Sequence, residues 1–217
     1  MTYQSRGPTI MKGAFVSIPA SGGSPQTIAF QYNPSTLKRT LTPQQVGGEP
    51  QARSEAVRFT GPPVQTVSID IELDAADGLC VGTPSAVQAG SLPQMAQLEL
   101  LVYPDLQQVN QAQSQLSSGV MEIAAQTAPR TLFVWGKSRV LPVSLTGYQI
   151  VEELFDNRLN TIQATVTVSM RVLTYVDLDP SNRSASDFKT YQQSLMQLAA
   201  MAPAGTAQQT GVNAGSY

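Results

Sequence analysis

Asp70 and Glu72 stand two residues apart in an alternating segment, so both carboxylates project from one face of a strand. Two carboxylates about 5–10 Å apart in a cleft are what glycoside hydrolysis needs. Glu152, Glu153 and Asp156 form a second acidic group. Nothing else in the sequence calls for a cleft around either set. Both read as the edge of a solvated or interface-facing strand, and a carboxylate-dependent hydrolase is the lesser alternative. Histidine is absent from all 217 residues. That removes the commonest general base, the commonest zinc ligand and any Ser-His-Asp or Cys-His site. Cys80 is the one cysteine, so no intrachain disulfide or thiolate cluster can form. No basic residue neighbours it to lower its pKa. Gly22-Gly23 and Gly47-Gly48 lack the following helix signature of a phosphate loop. The expectation is a protein without catalytic activity, cofactor or metal.

Charged residues make up 13% of the chain, against about 25% in average soluble proteins. Net charge is −2, which excludes an electrostatic nucleic-acid binder. The polar surface must come from Gln, Ser, Thr and Asn, a surface suited to packing against copies of itself. No apolar run is long enough to span a membrane. The first twenty residues contain no long apolar core of a secretory signal. With one free cysteine, synthesis in the cytoplasm is expected.

The elements that must position these residues are mostly strands. Residues 14–18 and 27–32 read as a pair around a Gly/Ser/Pro turn, with Ile28, Phe30 and Tyr32 on one face. Residues 64–73 alternate Val67, Ile69, Ile71 and Leu73 against Thr66, Ser68, Asp70 and Glu72. Residues 131–135 read as a buried strand and 139–154 as an extended one, with Pro142 and Gly147 marking an edge, bulge or bend. The strongest signal is 162–172. There Ile162, Ala164, Val166, Val168, Met170 and Val172 alternate with Thr, Gln, Ser and Arg. Residues 93–103 and 184–201 read as helices. In the first, Pro93 falls in the opening turn and Met95, Leu98 and Val102 form a stripe. In the second, Ser186 is the N-cap and Phe188, Tyr191, Leu195 and Leu198 form a stripe. The segments 42–63 and 74–92 read as loops, 105–129 as a mobile loop, alternatively with a helical turn, that orders only against a partner, and 202–217 as a disordered tail. The fold class is therefore mainly β with one or two helices, an α+β fold.

The order of these pieces resembles a known family. Phe30-Gln-Tyr-Asn-Pro-Ser-Thr-Leu37 is similar to the opening motif of the contractile injection system tube-protein family. Phe133-Val-Trp-Gly136 with the strand after it resembles the middle motif. Glu153-Leu-Phe-Asp156, Leu159-Asn160 and strand 162–172 resemble the closing one, with Thr161 where that family usually has proline. The resemblance covers about residues 12–177. It implies a tail-tube-like β-sandwich or barrel over 1–178, six copies of which join their sheets into a ring around a channel. It implies a baseplate component of a phage-tail-like particle, with the inner tube, the spike hub and other baseplate proteins as partners. The alternative within the same machine is a tube subunit or tube terminator. Many members add a peptidoglycan-binding LysM module, for which the segment after the last strand is too short.

On this reading Thr165, Thr167, Ser169, Asp70 and Glu72 face the channel or a neighbouring subunit. Residues 179–217 form a helical arm and tail, in which Phe188, Tyr191, Leu195 and Leu198 dock on another baseplate protein. No nucleic acid and no direct membrane insertion are expected. Trp135 is expected in the core, and Tyr32 and Tyr148 stand between core and interface.

Overall fold

A computed structural model describes residues 10–19, 23–45, 58–119, 129–178 and 183–202. The breaker at 179–182, the tail from 203, Gly47-Gly48, most of the 42–63 loop and the end of the 105–129 loop lie outside the described residues.

Strand β7 (Thr161–Val172) shows how alternation sets the core. Ala164, Val166, Val168, Met170 and Val172 are fully buried, while Thr165, Thr167, Ser169 and Arg171 between them are half-buried. β-Branched side chains suit this pleated, half-covered surface. On one side β7 pairs with β4 (Val64–Asp74), setting Val168 against Ile69 and Val166 against Ile71. On the other it pairs with β6 (Val140–Phe155), setting Val168 against Tyr148 and Val166 against Ile150. The sheet continues through β5 (Arg130–Val134), β1 (Ala14–Ile18) and β2 (Gln26–Ala29), and beyond β4 it ends at β3 (Leu37–Thr42). All pairs are antiparallel, in the order β2-β1-β5-β6-β7-β4-β3. The α+β class is as expected. The described strands form one open sheet rather than the two layers of a sandwich or a closed barrel, because helices cover the apolar face. The bend foreseen near Pro142 and Gly147 is a bulge between Leu145 and Gly147.

The first strands are held by side chains that act as backbone partners. Asn33 accepts from the Gly13 amide at 2.9 Å and donates to the Met11 carbonyl at 2.9 Å. Gln31 donates to the Asp74 carbonyl at 2.5 Å and accepts from the Asp74 amide at 3.0 Å. This carboxamide joins the chain after β2 to the end of β4, so the sheet must curl. Within the curl, Phe15 meets Phe30 edge-on with ring centroids 5.3 Å apart and lies 5.7 Å from Phe133. Trp135 stacks on Phe133 at 5.9 Å and packs against the core, half-exposed. β2 stops at Ala29, so Tyr32 leaves the face of Ile28 and Phe30 and is exposed.

Five described helices replace the one or two expected. The 74–92 segment folds into α1 (Ala76–Val81) and α2 (Pro84–Ala89). These are too short to show periodicity in a sequence of small residues. Asp74 Oδ1 accepts from the Ala76 amide at 2.7 Å to start the first, and left-handed Gly82 stops it. Gly90 ends the second with φ 57° and ψ −131°. An added Cβ there would lie 2.2 Å from the Thr161 carbonyl oxygen. The same oxygen accepts from the Ser91 amide at 2.8 Å and the Ser91 hydroxyl at 2.9 Å. This contact seats α3 (Leu92–Glu99), which buries Met95 and Leu98 on the sheet. α3 ends before Val102, which is exposed. The front of the 105–129 loop is α4 (Leu106–Ser117), capped by Asp105 Oδ1 accepting from the Gln107 amide at 3.0 Å.

α5 (Arg183–Ala200) corrects the reading of that segment as an arm. Ser184, Ala185, Phe188 and Tyr191 are buried, and Phe188 and Tyr191 belong to the sheet's own core. Arg130 on β5 donates to Ser184 Oγ at 2.5 Å and pairs with Asp187. Arg39 on β3 donates to the Tyr191 hydroxyl at 2.8 Å. The helix starts at Arg183, so Ser186 is no cap, and its hydroxyl donates back to the Arg183 carbonyl. Beyond β7, Asp177 accepts from the Thr174 amide at 2.9 Å and its hydroxyl at 2.8 Å, and pairs with Arg171. Burial pushes the Asp177 carboxyl up, but the Thr174 and Arg171 contacts outweigh it and hold the carboxyl below its usual range.

Gly90→Ala should destabilise the chain by about 3 kcal/mol or more in urea unfolding, since both the backbone and the carbonyl contact exclude a Cβ. Asp177→Asn should cost about 1–2 kcal/mol at neutral pH. Asp177 titrates lower folded than unfolded, so its stabilisation is present above about pH 4 and is lost as pH falls through the folded value. The urea midpoints of Asp177→Asn and the parent chain should therefore converge as the pH falls through that lowered folded value.

Candidate assembly surface

The five residues expected on a channel or subunit face do come together. Asp70 lies opposite Thr167, Glu72 opposite Thr165, and Ser68 opposite Ser169. The Thr167 hydroxyl donates to Asp70 Oδ1 at 2.7 Å. Lys38 and Thr40 on β3 and Gln149 on β6 extend the same face. Its side chains are exposed or half-exposed, short, and mostly hydroxyl or amide. Such a face is hydrated, with Asp70, Glu72, Lys38 and Arg171 its charged members. Neither Asp70 nor Glu72 lines any of the larger described cavities. The described residues hold no group of three metal-ligating side chains. No described helix is long and apolar enough to cross a membrane.

The α5 stripe divides. Phe188 and Tyr191 are spent on the chain's own core, whereas Leu195 and Leu198 are 41% and 48% exposed. Leu195 borders an apolar groove of about 610 Å³, lined also by Leu41, Phe59, Pro62 and Val176. Tyr148 lies on the core side, half-buried, and its hydroxyl finds no partner among the described residues. Burial pushes the phenol well above its ordinary pKa, with Glu99 adding to the effect.

The sequence reading missed the turn between β6 and β7 as a surface. Leu154, Phe155 and Leu159 are 63%, 52% and 81% exposed. Leu154 and Leu159 adopt left-handed backbone, with φ of 51° and 63°. That conformation costs a leucine about 1–2 kcal/mol. Asp156 holds the turn in place. Its Oδ1 accepts from the Arg158 amide at 2.7 Å and the Asn160 amide at 2.8 Å, and its Oδ2 accepts from the Asn160 side chain at 2.8 Å. The side-chain and backbone hydrogen bonds from Asn160, with the Arg158 amide, keep the Asp156 carboxyl below its usual range. Asn160 also donates to the Gln88 carbonyl at 3.3 Å, tying the turn to α2. The available signal was three large apolar residues around an Asp-Asn turn.

No family model matches the chain, and no curated protein does. Among solved structures, the chain is similar to the tail of an empty GTA particle refined with C6 symmetry. The likeness covers 74% of this chain and 90% of the other, at 10% identity and a TM-score of 0.30. That is too weak to establish a common fold.

The two sides of β7 should respond differently to substitution. Val168→Asp should prevent folding, because a buried unpaired charge costs several kcal/mol, about the stability of a whole domain. Thr167→Val removes one exposed hydrogen bond and should shift stability by about 1 kcal/mol or less. Soluble yield and melting temperature check both. Equal behaviour of the two variants would reverse the assignment of faces.

Proposed function

We propose that this chain is a structural subunit of a phage-tail-like contractile particle, made in the cytoplasm and acting without catalysis. Copies form a ring, six in number, that connects the inner tube to the spike hub in the baseplate. The observation that carries the reading is the polar, hydroxyl-bearing face of β4, β7 and β6, which no described element covers, on a sheet whose described edges are β2 and β3. Among the described strands β2 and β3 are the sheet's edges, and edge strands offer backbone groups that a neighbouring copy can complete. The face between them, with Thr165, Thr167, Ser169, Asp70 and Glu72, suits the lining of a hydrated channel.

The motifs that resemble the contractile injection system tube-protein family support the reading, because each has a structural task here. Gln31 and Asn33 close the curl of the sheet. Left-handed Gly136 turns β5 toward β6, with the Trp135 amide donating to the Arg139 carbonyl at 2.8 Å. Asp156 and Asn160 build the β6–β7 turn.

Negative-stain imaging and native mass measurement of the purified protein test this. The expected species is a ring of six times the 23.2 kDa chain mass. A protein that stays monomeric at high concentration, and is absent from tail-like particles of its host, overturns the proposal.

A further inference from the structure

Two apolar features lack a partner among the described residues. One is the β6–β7 tip, with Leu154, Phe155 and Leu159. The other is the groove beside α5, bordered by Leu41, Phe59, Val176 and Leu195. They lie at opposite ends of β7. The tip precedes Thr161, and the groove meets Val176 just beyond Val172. Twelve strand residues span roughly 40 Å, so a chain cannot seat its own tip in its own groove.

The charges around the two features are opposite. Glu152, Glu153 and Asp156 flank the tip, with Arg158 the one cation in the turn. Asp156 is held below the usual carboxylate range and so is ionised at neutral pH. At the groove, Arg58 stands next to Phe59 and Arg39 bonds the hydroxyl of groove-lining Tyr191, while Asp177, next to Val176, is already paired with Arg171. The tip also needs little ordering on binding, because Asp156 and Asn160 already fix its backbone.

We propose that the β6–β7 tip of one copy seats in the α5 groove of a second copy, joining copies of this chain head to tail. The contact uses different surfaces on its two sides. It therefore closes into a ring if its rotation closes, and otherwise builds an open stack. The inference rests on the reading of the chain as an assembling subunit and supplies an interface for it.

Cysteine crosslinking in the full-length chain with Cys80→Ser tests the contact. Leu159→Cys and Leu195→Cys are made separately, both at exposed positions, and then mixed and oxidised. The expected result is a disulfide-linked dimer in the mixture and little in either variant alone. In parallel, Leu159→Asp should keep its circular dichroism and melting temperature but weaken self-association at least tenfold. Oligomers that form without the mixed crosslink, or that ignore Leu159→Asp, overturn the contact while the assembling reading stands. A chain that is monomeric throughout overturns both.

Discussion

The fold depends on the two-sided pairing of β7. This strand alternates without interruption from Ala164 to Val172, and it is paired along nearly its whole length with both β4 and β6. A slip of one residue on either side would carry Val166, Val168 and Met170 to the hydrated face and Thr165, Thr167 and Ser169 into the core. Each neighbour repeats the alternation in its own residues, so the register is fixed from both flanks. Even the helices answer to this strand, since Gly90 and Ser91 close on the carbonyl of its first residue before α3 crosses the core.

Polar side chains close what the strands leave open. Asn33 and Gln31 supply hydrogen bonds at the points where β1 and β4 have lost their strand neighbours. Arg39 does the same at the other edge, reaching from β3 to Tyr191 on α5. Arg130 carries β5 to α5 through Ser184 and Asp187. Each of these bonds satisfies a group whose burial would otherwise be costly, and each joins elements distant in sequence. A curled sheet with its apolar side filled by α3 and α5 results, and no described element covers its hydroxyl side.

That asymmetry is what a ring-forming subunit requires. Among the described residues one face is used up in folding, one is polar and hydrated, and β2 and β3 stand at the edges, as the proposed assembly would use them. The strained leucines at the β6–β7 turn fit the same division of labour. They stay largely exposed in their own chain and hold an unfavourable backbone conformation, as the proposed contact between copies would use them.

The sequence by itself determined the long strands and the two faces of β4 and β7, because a two-residue period survives wherever one face is buried and the other wet. It also placed Asp70, Glu72, Thr165, Thr167 and Ser169 on polar faces, although not beside one another. Only the tertiary structure decided that β4 and β7 are neighbours, since pairing depends on contacts far apart along the chain. β3 was hidden because a core-facing Arg39 breaks its apolar pattern, and that arginine is explained by the Gln65 amide on β4 and by Tyr191 more than a hundred residues later. α1 and α2 were hidden because six residues are too few to show a period, and α4 because Leu106, Val109 and Leu116 are thinly spread in a Gln- and Ser-rich segment and none of its residues is buried. The α5 stripe was legible, but its destination was not. Whether Phe188 and Tyr191 meet their own sheet or a partner depends on where the helix is laid, and Arg39 and Arg130 lay it on the sheet.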